Sequence, residues 1–402
     1  MTIARSMNWK LALLLAALLP LAGLANADET KGQSEEAKPQ TVVAEAEAKD
    51  ADRPHIEMVI LLDTSGSMSG LINQARTQLW KIVNEFATAE RDGQRPDLKV
   101  ALYEYGKSTL PADEHWVRMI VPLTDDLDKV SEELFALQTN GGEEYCGAAI
   151  KRAVEELGWS KGNRDLKCIF IAGNEPFNQG PIDYKSSCAS AANAGITVST
   201  IHCGDHDEGL RTQWGDGAKL ADGSYMSINQ NEVVPDIPAP QDEQLVKLNG
   251  ELNKTYIAYG SVEMRKKAVE RQVQQDANAQ GANQAAYAGR VAFKGSGLYN
   301  NARWDLCDAV CQKLVKLEDL KEEDLPEELK KMKPEERKTY LDNMIAKRKE
   351  LQAQIKEAAD ARSAYIAEER KKLAAKTDNT LDKAVIDAVR IQAEKLEFEF
   401  KN

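Results

Sequence analysis

Beyond residue 27 the chain has no uninterrupted apolar run of ~18 residues, so nothing there is built to span a bilayer as a helix. It also lacks an excess of positive charge. Its 65 Asp and Glu outnumber its 52 Lys and Arg, for a net charge of −13 over 402 residues, which argues against nucleic acid as a partner. There are only four histidines, His55, His115, His202 and His206, and they follow no metalloprotease spacing. Gly66-Ser67-Met68-Ser69-Gly70 carries Met68 where a nucleophile elbow needs serine, so no Ser-His-Asp hydrolase can be laid out and a non-enzymatic role is expected. Six cysteines allow about 15 full pairings. Cys307 and Cys311 lie four apart on a helical pattern, too far for a relaxed disulfide. Cys168 and Cys203 fall at opposite ends of neighbouring strands, whereas Cys146 and Cys203 approach the same end.

Residues 1–27 read as a secretory signal. Arg5 and Lys10 precede an apolar stretch from Leu11 to Leu24, and Ala25-Asn26-Ala27 is a small-x-small cleavage site. The expected product is a periplasmic or secreted protein with no stable membrane span after cleavage. Residues 28–53 are polar and rich in Ala and Glu, the composition of a disordered acidic linker.

From Ile56 the texture changes. Ile56 to Leu62 is the continuous apolar run of a buried parallel strand. A turn-rich stretch follows, then a helical period with Leu71, Ala75, Leu79, Ile82, Val83 and Phe86 on one face. Strands are expected at 98–106, 116–122 (antiparallel), 167–172, 196–203 and 224–228. Helices are expected at 126–137, 147–158, 184–194 and 208–221. This alternation predicts an α/β fold, a doubly wound and mostly parallel sheet with one antiparallel strand, spanning 54–233. Ligands of such sheets bind beyond the carboxyl ends of the strands, where loops 63–70, 139–146, 173–181 and 203–207 should meet. A Pro-rich hinge at 234–240 then leads into an α-helical region at 241–402, with helices at 241–279, 303–317, 335–374 and 378–396. The 3-4 seam of the third of these carries Arg348 and Arg362, which disfavours a long two-chain coiled coil and favours packing on neighbouring helices. Trp304, Leu306, Val310, Leu314 and Leu317 mark a face for core packing.

Asp63-Thr64-Ser65-Gly66-Ser67 has the pattern Asp-x-Ser-x-Ser between a buried strand and an amphipathic helix. A carboxylate and two hydroxyls on one tight loop are hard oxygen donors, suited to a divalent cation and too few to close its shell. The plainer reading is that Asp63 turns the loop and a serine caps the next helix. Met58 to Gly70 (MVILLDTSGSMSG) resembles the first motif of the metal-ion-dependent adhesion site in von Willebrand factor A domains, and with the element order the resemblance covers about 180 residues. It implies that Asp63, Ser65 and Ser67 hold a divalent cation, Mg²⁺ in the first place with Ca²⁺ or Mn²⁺ as alternatives. It also implies a protein partner whose acidic side chain completes the shell.

The resemblance further implies a threonine in the second loop and an aspartate after the fourth strand, and here the chain departs. The second loop reads Asn140-Gly141-Gly142-Glu143-Glu144-Tyr145-Cys146, with Thr139 before the glycines, so Glu143 or Glu144 could supply a carboxylate instead. The third reads Gly173-Asn174-Glu175-Pro176, with Gly173 in the aspartate's place and Asn174 or Glu175 as substitutes. One carboxylate gained and one lost would leave the charge similar. His202-Cys203-Gly204-Asp205-His206-Asp207-Glu208 could form a second metal site, though a strand end followed by a helix start explains it as well. The expected function is divalent-metal-dependent protein recognition in the cell envelope. Its alternative is a metal-independent scaffold that uses the helical region, and an oligomer remains open.

Overall fold

The computed structural model describes residues 53–232, 236–372 and 380–400. The expected signal segment, the expected linker before Arg53, residue 233 and the start of the expected hinge at 234–235 lie outside the described residues. The first strand, β1 (His55–Asp63), is followed by α1 (Ser69–Phe86), the short β2 (Ala89–Glu90), β3 (Asp97–Tyr105), β4 (Val117–Thr124), α2 (Leu127–Ala136) and α3 (Cys146–Glu156). Next come β5 (Leu166–Gly173), α4 (Tyr184–Asn193), β6 (Thr197–His202), α5 (His206–Arg211), α6 (Trp214–Leu220) and β7 (Tyr225–Ser227). The six-stranded sheet has the order β4-β3-β1-β5-β6-β7; β4 runs antiparallel to β3 and every other pairing is parallel. This is the expected doubly wound arrangement.

Both faces of the sheet are covered, as the apolar strands require. On one face Val59, Leu61, Ile169, Ile171 and Val198 pack with Ala149 and Ile150 of α3, Ala191 of α4 and Trp214. On the other, Met58, Leu62, Val100 and Phe170 meet Leu71, Leu79 and Val83 of α1. The expected helix at 208–221 is two short helices, because Gln213 adopts a left-handed backbone (φ 74°) between α5 and α6.

The later helices are α7 (Asp242–Asn253), α8 (Val262–Ala282), α9 (Gln284–Gly295), α10 (Leu306–Cys311), α11 (Glu327–Lys330), α12 (Pro334–Lys372) and α13 (Leu381–Lys395), with β8 (Glu399–Phe400) pairing back on β2. The single helix expected at 241–279 is broken. Ile257 is buried and donates its N–H to Asp305 Oδ1 at 2.7 Å, and Gly260 takes a positive φ of 95° before Ser261 caps α8. Helix α9 was not expected. Asn283, in extended backbone, starts it by accepting the Ala286 N–H at 2.7 Å. The helix expected at 303–317 stops at Cys311, with Lys313 at φ 61°, and Leu314 is 66% exposed instead of packed. In α12 both arginines of the seam turn toward neighbours in the same chain: Arg348 to Asp305 and Asp308, Arg362 to Asp242. Among the described residues no helix is long and apolar enough to cross a membrane.

Leu245, Val291, Phe293, Ile355, Val385 and Val389 belong to the same hydrophobic cluster as α1 and its face of the sheet. Helix α1 is therefore covered on two sides, which explains why Trp80, outside the face read from the sequence, is fully buried. All six cysteines are unpaired thiols, five of them buried. The Cys146–Cys203 bridge left open by their positions is absent.

Candidate functional site

Asp63 is the last residue of β1, and its side chain is fully buried at the carboxyl end of the sheet. One carboxylate oxygen, Oδ1, accepts the Ser65 N–H at 2.7 Å and so sets the turn. The other, Oδ2, is buried with no hydrogen-bond partner. Burial pushes the Asp63 carboxyl up to about 7; hydrogen bonds from Ser65 and a weaker one from the Asn174 backbone oppose the shift, and the nearby Glu175 charge adds to it. Thr64 ties the loop to β3, donating its N–H to the Tyr105 carbonyl at 2.9 Å and its hydroxyl to Glu104 Oε2 at 3.2 Å. The Ser65 and Ser67 hydroxyls lie 3.3 Å apart, and Ser67 Oγ donates to Asn174 Oδ1 at 3.3 Å. Neither serine caps α1. Its N-cap is Met68, with no side-chain capping bond, so the plainer role expected for the serines is not the one they take.

The loops expected to meet do meet. Asn140 donates its N–H to the Thr64 carbonyl at 2.9 Å, and the Cys203 N–H bonds the Gly173 carbonyl at 2.8 Å. Of the two glutamates in the second loop, Glu144 is the one turned inward, at 9% exposure, while Glu143 is exposed beside the Tyr145 hydroxyl. Gly106, immediately after β3, makes this approach feasible. With φ 79°, it has no Cβ where one would stand 2.8 Å from both Asp63 Oδ1 and Glu144 Cγ. Burial raises the Glu144 carboxyl to about 7, and the charges of Asp63 and Glu175 raise it further. In the third loop, Asn174 reaches Ser67. Glu175 is held by Gln179 at 3.3 Å, and its carbonyl accepts the Trp214 indole N–H at 2.9 Å.

Gly173 has a cause that the local sequence does not show. A Cβ there would lie 2.4 Å from the Tyr105 hydroxyl and 3.1 Å from Asp63 Oδ2. That hydroxyl donates to the Ala172 carbonyl at 3.0 Å and faces Cys146 Sγ at 3.8 Å. Tyr105 therefore fills the space in which a side chain at 173 would begin. The residue belongs to β3, far away in sequence, and only the β3-β1-β5 order brings it here.

The second cluster of potential ligands does not converge. Asp205 caps α5 by accepting the Glu208 N–H at 3.0 Å, His206 stacks on Tyr225, and His202 is buried against Trp214. Among the described residues no three Asp, Glu, His or Cys side chains come together to hold a metal ion. An ion at Asp63 would therefore need hydroxyl or amide oxygens as well. The donors present fit that need: the orphaned Oδ2 of Asp63, the two serine hydroxyls and the inward Glu144 form a hard oxygen set suited to a divalent cation.

The family model of the von Willebrand factor type A domain matches residues 57–219. This stretch of the chain is a von Willebrand factor type A domain. Solved structures similar to the chain include an aerotolerance-related membrane protein from Bacteroides fragilis, at 18% identity over 44% of this chain and 93% of that one, TM-score 0.31. The conserved hypothetical protein BatB from Bacteroides thetaiotaomicron is similar at 16% identity over 55% of this chain and 98% of that one, TM-score 0.33. The pilus adhesin SpaC from Lactobacillus rhamnosus GG is similar at 14% identity over 44% of this chain and 28% of that one, TM-score 0.33. No curated protein sequence matches the chain. Von Willebrand factor type A domains are typically interaction modules, and they often bind a divalent metal.

Proposed function

We propose that this chain is a periplasmic or secreted envelope protein that recognises a protein partner through a divalent cation held at the Asp63 loop. The observation that carries the reading is the buried Oδ2 of Asp63, which accepts no hydrogen bond of good geometry, the Asn174 N–H being the nearest donor to the carboxylate beyond Ser65. A carboxylate oxygen in that position is costly unless a cation faces it. Asp63, Ser65 and Ser67 would hold the ion, with Glu144 as the added carboxylate. Asn174 orients Ser67, Glu175 contributes charge from the third loop, and Glu143 stands exposed at the rim. Mg²⁺ is the first choice, with Ca²⁺ or Mn²⁺ as alternatives. The ion supplies an open coordination position for an acidic side chain of the partner.

Calorimetric titration of the chain with Mg²⁺, Ca²⁺ and Mn²⁺, beside a partner pull-down with and without chelator, tests this. Asp63→Ala and chelation should each abolish partner capture while circular dichroism stays native; capture that survives both treatments overturns the reading. A metal-independent scaffold is the second reading, favoured by the Tyr105 hydroxyl, which leaves no room for a side chain at Gly173, the position where the resemblance implies an aspartate. Failure of the folded chain to bind any of the three ions would support it.

A further inference from the structure

A cavity of about 540 Å³ opens between α1, α9 and α12, on the side of α1 away from the sheet. Its size suits a small ligand or a short segment of chain. The walls are flush with the helix backbones because the residues there are small: Ala288, Gly289 and Ala292 on α9, Ala359 and Ser363 on α12. The charges around it are of one unsatisfied sign. Of the two acidic groups lining it, Glu85 is paired with Arg390 and Asp360 with Lys356. Arg95 and Arg370 line it with no carboxylate partner among the described residues, and Arg362, bound to Asp242 through Nε, keeps a buried Nη2 with no partner.

We propose that this groove binds an extended acidic peptide segment of a protein partner. The lining of α12 from Lys356 to Arg370 runs about 21 Å at ~1.5 Å per residue, the reach of roughly six residues of extended chain at ~3.3 Å each. An acyl chain would set methylenes against Gln78, Asn84 and Ser363, polar groups suited to a peptide backbone. The guanidinium groups take carboxylates, and the alanine and glycine walls leave room for small side chains between them. The groove is distinct from the Asp63 loop and does not depend on a cation there.

The test is fluorescence anisotropy of the full chain, in chelator and at low salt, with a dye-labelled Ala-Glu-Ala-Glu-Ala-Glu peptide and its Ala-Gln counterpart. The acidic peptide should bind at least tenfold more tightly than the neutral one. Ala359→Phe, which fills the groove, and Arg370→Gln, which removes an unpaired cation without touching the core, should each weaken binding at least tenfold with an unchanged melting temperature. No binding of the acidic peptide, equal binding of both peptides, or full binding by Ala359→Phe overturns the proposal. Because chelator is present throughout, failure of the cation reading leaves this outcome untouched.

Discussion

Two residues without side chains shape the surroundings of Asp63. Gly106 lets Glu144 close on Asp63, and Gly173 makes room for the Tyr105 hydroxyl. Gly173→Ala should overpack this spot and cost about 1–3 kcal/mol in urea denaturation. Tyr105→Phe, which removes the obstructing oxygen, should recover part of that loss when the two are combined; additive losses would show that the two positions do not compete for space. The buried carboxyls also imply a pH dependence. Asp63 and Glu144 hold protons in the metal-free fold up to about 7, whereas in the unfolded chain they release them near 4. Between those values the native state binds more protons, so stability in chelator should fall as pH rises from about 4 to 7. Asp63→Asn should flatten the slope measured from urea midpoints, and an unchanged slope would remove Asp63 as its source. Asp63 and the serines were legible in the sequence because strand, loop and helix are local. The choice of Glu144 over Glu143 was not, since adjacent residues differ only in which way the folded loop turns them.

At the scale of elements, periodicity revealed the strands and the longer helices but not where helices break. The breaks are made partly by a tertiary partner and partly by local caps and left-handed residues. Asp305 draws Ile257 out of a helix through its backbone N–H, and Asn283 ends α8 and starts α9. Asn283→Ala should cost about 1 kcal/mol, read as a lower urea midpoint, because the cap on Ala286 is lost. Arg348 breaks the apolar seam of α12, yet it is among the most tightly held side chains of the chain. It bonds Asp305 and Asp308 at 2.6 Å and lies over the Tyr256 ring at 4.3 Å. Arg348→Ala should therefore cost about 3–5 kcal/mol by leaving buried carboxylates without their cation. A loss below 1 kcal/mol would mean that solvent reaches Asp305.

At the scale of the molecule, the described residues form one compact unit rather than a sheet domain with an independent helical appendage. Trp80 of α1 packs on Phe293 of α9 at 5.4 Å, Arg290 bonds both Asp128 of α2 and Asp276 of α8, and β8 pairs with β2. Thermal unfolding should accordingly follow a single transition by far-UV and near-UV dichroism. A fragment ending at residue 232 should fail to reach a soluble native state, since it exposes Trp80 and the outer side of α1. A folded, soluble fragment would show that the shared core is dispensable.

Strand positions, fold class and the strand-loop-helix setting of Asp63 followed from the sequence because buried parallel strands, amphipathic helices and turn chemistry are written in neighbouring residues. The tertiary structure alone decided three things: that the Tyr105 hydroxyl fills the space beside Gly173, that Glu144 is the inward carboxylate, and that the later helices share the core on one face of the sheet. Each depends on atoms brought together from distant parts of the chain, where shape and burial act and local pattern carries no record of them.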